Sequence, residues 1–157
     1  MEHIEHDAEA LTQWARWLRP NGVMLLSVPA HPRLWNARDV WAGHFRRYRR
    51  KDLEKVFAEA GLTVETIECY GFPLANILEL IIAPSYRRRL IKGGQYDKAA
   101  QTAASGIERS TDVRNFRHYA HAPGAWIMRS MIMVQNLFLR LGLGNGYFVV
   151  ARKPAQT

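Results

Sequence analysis

Between positions 31 and 51 the chain concentrates side chains that do chemistry: His31, Trp35, Asp39, Trp41 and His44, then Arg46, Arg47, Tyr48, Arg49, Arg50 and Lys51. His44 is a candidate general base, because an imidazole titrates near neutral pH and can take a proton from a bound group. The five cations among the six residues 46–51 could hold a phosphate or carboxylate. The competing reading is a solvated face at the start of a helix. Cations at a helix N-terminus oppose its macrodipole, which is a local reason to look for an anion there. His118 and His121 could put two imidazoles together, but no carboxylate or cysteine nearby completes a ligand set, so no metal site is expected. Gly142-x-Gly144-x-Gly146 is the glycine-dense turn of the chain. It follows a helical pattern and leads into a strand, the reverse of the order that turns backbone N–H groups toward a ligand.

These residues have to be positioned by elements whose periods are legible. Leu11, Trp14, Ala15 and Leu18 form an apolar stripe at i, i+3, i+4, i+7, which predicts a helix over Ala8 to Leu18, ended by Pro20-Asn21-Gly22. Val23 to Val28 is nearly continuous in apolar character, the pattern of a strand covered on both faces in a parallel sheet. Ala30 to Arg47 has no clear period and reads as a long ordered loop. Leu53, Val56, Phe57 and Ala60 predict a second helix with Gly61 just past its end, and Leu62 to Tyr70 a second strand. Leu74, Ile77, Leu78, Ile81 and Ile82 predict a third helix, kinked at Pro84 before the basic run Arg87-Arg88-Arg89. Residues 93–118 change character and read as a mobile insertion. A long apolar helix from Pro123 to Leu141 and a strand from Tyr147 to Arg152 close the chain.

Alternating helices and strands make this an α/β protein. Its 157 residues, 48% hydrophobic and 23% charged, fit one globular domain and exclude a wholly disordered chain. With 22 Lys and Arg against 14 Asp and Glu the net charge is +8, so an anionic partner or surface has to be considered. Cys69 stands alone, which excludes an intrachain disulfide and a multi-cysteine zinc site and suits a reducing cytoplasm. The charged opening residues carry no apolar run of signal-peptide type, and no export signal is read.

Five stretches, in order, add a resemblance. Glu2-His3-Ile4-Glu5-His6-Asp7, the turn Leu18-Arg19-Pro20-Asn21-Gly22, the strand Val23 to Val28, the segment Gly43-His44-Phe45-Arg46-Arg47-Tyr48 and the strand Gly146 to Lys153 resemble the second half of class I S-adenosylmethionine-dependent methyltransferases. The resemblance implies the C-terminal part of a Rossmann-like sheet with a helical insertion, beginning where the family's fourth strand ends. It implies methyl transfer from S-adenosylmethionine to a small-molecule or lipid-like acceptor, with the main cofactor-binding motif absent from this chain. On it, His3 is placed beside the methyl-transfer pocket as a cofactor contact. His31, Trp35, Arg46, Arg47 and Tyr48 are placed around the acceptor, with His44 as base. Packing under a loop is the alternative for Trp35 and Trp41, and a structural hydrogen-bond donor for His44.

An uncovered Val23 to Val28 edge would recruit other strands, so self-association is expected. The two long apolar helices, with the arginines of 87–89, could lie over a greasy acceptor or touch a membrane surface. The rival function is a non-catalytic basic module binding nucleic acid or an anionic membrane, in which the charge itself is the function. No aromatic residues interleave regularly with the basic runs, which makes nucleic acid the weaker partner.

Overall fold

A computed structural model describes residues 1–93, residue 102 and residues 122–155. Helix α1 (Asp7–Trp17) buries Leu11 and Ala15 of the predicted stripe. Helix α3 (Arg50–Glu59) buries Leu53 and Phe57, and Gly61, at φ +74°, lets the chain leave it. Both helices contribute to one core, with one face of a three-stranded sheet against them.

The strands are β1 (Val23–Pro29), β2 (Thr63–Tyr70) and β3 (Gly146–Arg152), in the order β1-β3-β2 and antiparallel at both junctions. The register aligns three inward rows: Met24, Ala151 and Val64; Leu26, Val149 and Ile67; Val28, Tyr147 and Cys69. Each row belongs to the core or packs against it.

Two expectations change here. β1 is not a parallel strand covered on both faces. It pairs antiparallel with the last strand of the chain, and its exposure alternates, with Val23, Leu25 and Ser27 outward and Leu25 62% exposed. A run of consecutive apolar residues cannot report which of its faces is covered, because burial alternates with a period of two while apolar character does not. The long loop also contains structure, a 3-10 turn (Pro32–Leu34) and helix α2 (Ala37–Ala42). Six residues are too few to display a helical period. The start of α2 lies in Asn36 and Asp39, which cap each other: Asn36 Oδ1 accepts from the Arg38 N–H at 2.8 Å and Asp39 accepts from the Asn36 N–H at 2.9 Å.

Helix α4 (Leu74–Gly93) runs on through Pro84, and α5 (Ala122–Asn136) ends before Leu141 and gives way to turns. Those turns are strapped to the end of β2 by the Cys69 N–H donating to Leu139 O at 3.1 Å and to the start of α4 by Asn76 Nδ2 donating to Leu143 O at 2.9 Å. The glycine-dense turn is a packing feature: a Cβ on Gly144 would lie 2.0 Å from Tyr70 O, and one on Gly146 would lie 2.3 Å from the Tyr70 ring. Among the described residues no helix is long and apolar enough to cross a membrane. The expected insertion at 93–118, apart from Gly93 and Thr102, lies outside the described residues, as do His118 and His121.

Candidate functional site

The site grows from the carboxyl end of β1. Past Pro29 the chain turns, and the segment leading to α3 returns alongside it: the Tyr48 N–H donates to Pro29 O at 2.9 Å and the His31 N–H to Tyr48 O at 2.8 Å. Ala30 and Tyr48 thereby form a parallel bridge. This clamp fixes residues 44–48 against α2, whose Asp39 is 1% exposed.

Asp39 is the hub. Its carboxylate accepts from Arg47 Nε at 2.8 Å and meets a second guanidinium nitrogen at 2.8 Å, and it lies 2.9 Å from His44 Nδ1. Burial alone would raise this carboxyl, but the hydrogen bonds from His44 and Arg47 outweigh it and hold Asp39 below the usual carboxylate range. An ionised carboxylate only accepts, so Nδ1 of His44 carries the hydrogen and its Nε2 keeps a lone pair in the neutral ring. Arg47 also lies 3.7 Å from Glu79 of α4, which takes Arg38 at 2.7 Å and Asn36 Nδ2 at 3.0 Å. One acid thus docks α4 onto α2.

Beside His44 lies the N-terminal stretch, tied in by the Phe45 N–H donating to Glu2 O at 2.7 Å. The rings of His3 and His44 meet edge to face with centroids 4.8 Å apart. His3 Nδ1 is 3.2 Å from Thr102 Oγ1, and its Nε2 is 3.9 Å from Glu2 Oε1. The other oxygen of Glu2 lies 3.3 Å from the Met1 nitrogen. Burial lowers the His3 imidazole from its ordinary value, against the pull of Glu2.

These groups open on a cavity of about 580 Å³. Polar groups of Glu2, Ser27, Arg38, Asp39, His44, Arg47 and Glu79 line it together with Trp41, Ala75, Leu78 and Tyr86. A smaller neighbour, about 310 Å³, is lined by Trp35, Leu80, Ala83 and the aliphatic and polar groups around Glu79.

The residues singled out from sequence are spread over two cavities, the buried Asp7 and the sheet end. His44 and Arg47 face the larger cavity, Arg47 with its charge committed to Asp39; Trp35 and Arg47 face the smaller one. His3 stands against His44. Tyr48 and Arg46 converge instead on the buried Asp7, through the Tyr48 hydroxyl at 2.6 Å and the Arg46 guanidinium at 2.8 Å. Burial and Asp7 together push the Tyr48 hydroxyl far above the usual phenol range. His31 sits at the sheet end, its ring 5.3 Å from that of Tyr147 and its Nε2 3.7 Å from Cys69 Sγ. Burial, aided by Arg33, lowers the imidazole of His31, and burial raises the thiol of Cys69. Asp39, Glu2 and Glu79 were not assigned roles from sequence. A lone acid in the apolar run Ile77-Leu78-Glu79-Leu80 is the signal that could have singled out Glu79.

Residues 1–67 match the family of methyltransferase domains. The matched stretch contains the entire Asp39, His44 and Arg47 cluster together with Glu2 and His3. No curated protein matches the chain.

Proposed function

We propose, from the match of residues 1–67 to the family of methyltransferase domains, that the chain carries part of a class I S-adenosylmethionine-dependent methyltransferase and that the 580 Å³ cavity receives a small-molecule or lipid-like methyl acceptor. The observation that carries this reading is the placement of His44. His44, held at Nδ1 by Asp39, lines a cavity that also presents Trp41, Ala75, Leu78 and Tyr86, and it lies within the family-matched segment. The sheet supports a Rossmann-like assignment, because β1 and β2 each run antiparallel to β3 and therefore parallel to one another, with the final strand between them. Ligands of such sheets collect at strand carboxyl ends, where the cavity lies.

S-adenosylmethionine supplies the methyl group from its sulfonium. The chain's own residues serve the acceptor. Asp39 holds the His44 ring, His44 Nε2 takes the proton of an acceptor hydroxyl, and Leu78, Tyr86 and Trp41 cover its apolar body and exclude water. The described residues offer less to the nucleoside. The glycine turn is packed against Tyr70, and His3 is the nearest candidate contact, so the larger share of cofactor binding falls to groups outside the described cluster.

The test is metabolic labelling. Because the described residues offer little to the cofactor, the chain is expressed joined to the glycine-rich N-terminal half of a methyltransferase of the matched family, the cells are fed trideuteromethyl methionine, and their lipid and small-molecule extracts are compared with those from cells expressing the same protein with His44→Ala. A labelled methylated product that requires the protein and falls roughly 10²- to 10⁴-fold in rate with His44→Ala is expected. Absence of any product depending on the protein refutes the reading. An unchanged melting temperature in His44→Ala separates lost chemistry from lost fold.

A further inference from the structure

We infer that Glu2, His3 and His44 form a binding site for a first-row divalent metal ion at the rim of the cavity. The three side chains each offer one ligand atom, and these atoms all lie within 4.8 Å of one another. Two imidazoles and one carboxylate form a mixed nitrogen and oxygen set that suits zinc, manganese, iron or cobalt and discriminates against magnesium and calcium, which prefer oxygen alone. Three protein ligands leave a position open for water or substrate, as in catalytic rather than structural sites.

What raises this above a chance cluster is its outer shell. A metal-bound histidine ordinarily donates its second ring N–H to a carboxylate, carbonyl or water, which fixes tautomer and orientation. His44 has Nδ1 2.9 Å from the buried carboxyl of Asp39, and Arg47 and the Asn36 N–H anchor that carboxyl in turn. His3 likewise has Nδ1 engaged, by Thr102 at 3.2 Å. Both rings are thus left with Nε2 as the available ligand atom, and Nε2 of His3 is the one that faces Glu2, at 3.9 Å. Tetrahedral ligands ~2.1 Å from an ion sit ~3.4 Å apart, so the set must close by ~1 Å. The partly exposed side chains of Glu2 and His3 have room to supply that movement, while His44 is held.

A bound ion at this position would change how the acceptor is activated, a consequence that rests on the methyl-transfer reading. The lone pair of His44 is then committed to the metal, and the cation lowers the pKa of an acceptor hydroxyl placed in its open position. The binding claim itself needs neither S-adenosylmethionine nor an acceptor.

The test uses the whole chain, stripped with chelator, titrated with Zn²⁺ by calorimetry and with Co²⁺ by visible absorption. One equivalent is expected at micromolar affinity or tighter, with cobalt d–d bands of a low-coordinate site. His44→Gln and His3→Gln should each weaken binding at least 10²-fold. A double His118→Gln, His121→Gln change should leave it intact. His3 is partly exposed, so His3→Gln keeps the test decisive if His44→Gln fails to fold. In the unmodified chain, imidazole ¹⁵N resonances should show zinc bound at Nε2 of both rings. Failure to bind either ion at millimolar concentration overturns the site, as does full-affinity binding in His3→Gln. Because no methyl donor is present, either result leaves the labelling experiment untouched, and a failed labelling experiment leaves the metal result standing.

Discussion

Asp39 decides what His44 can do, and it does so from a position 1% exposed to solvent. Asp39→Asn would replace an acceptor that serves Arg47, His44 and the start of α2 with one that meets them incompletely, leaving the buried Arg47 short of its counter-ion. Such broken pairs cost about 3–5 kcal/mol, which urea unfolding at neutral pH should show. The pH dependence has a definite sign. The folded carboxyl of Asp39 titrates below its unfolded value, so its stabilisation is present above the ordinary carboxylate range and is lost as pH falls through the lowered folded value. Between about pH 5 and pH 2 the unmodified protein should lose stability more steeply than Asp39→Asn. Equal slopes would mean that other carboxylates dominate acid unfolding. His44 could be singled out as a candidate from sequence because its side-chain type suggests a chemistry. The role of Asp39 could not be read, because an aspartate near the surface and one buried against a guanidinium and an imidazole look alike until the chain has folded.

At the scale of elements, the apolar period gave both ends of α1 to within a residue and the C-terminal end of α3, while α2 could not be read, since its whole content is a cap and one turn. β1 shows a different limit. Its residues are apolar apart from Ser27, yet Leu25, Val150 and Phe148 share the face turned away from the core cluster, and β3 is its sole strand partner among the described residues. An unpaired, apolar edge is a template for another strand. Self-association through β1 is therefore expected, and Leu25→Lys should move the protein toward the monomer in sedimentation velocity. Because Leu25 is 62% exposed, the substitution should alter the stability of the single chain by no more than about 0.5 kcal/mol. An unmodified chain that sediments as a monomer at high concentration would remove the edge argument.

Across the whole molecule, charge and apolar exposure coincide on α4. Leu80, Ile81 and Ile91 are 77%, 69% and 76% exposed, the arginines at 87 and 88 are exposed on the same helix, and the chain carries a net +8. Peripheral binding to vesicles containing anionic lipid follows as an expectation, weaker on neutral vesicles and weakened by salt. At ~1 kcal/mol per cation near such a surface, replacing Arg87 and Arg88 with alanine should reduce it by about 30-fold. Binding indifferent to lipid charge would contradict this. The cavity itself has two owners. Most of its polar groups come from the segment that matches the methyltransferase family, and much of its apolar lining comes from α4, beyond the match, with Glu79 joining the two. On the methyl-transfer reading, such a seam would let inheritance act separately on reactivity and on taste: residues along one helix could drift to admit a longer, flatter or bulkier guest while the proposed reacting groups stay in place. A chimera exchanging residues 74–93 with those of a relative, keeping Glu79, should then change which molecules are accepted without abolishing turnover.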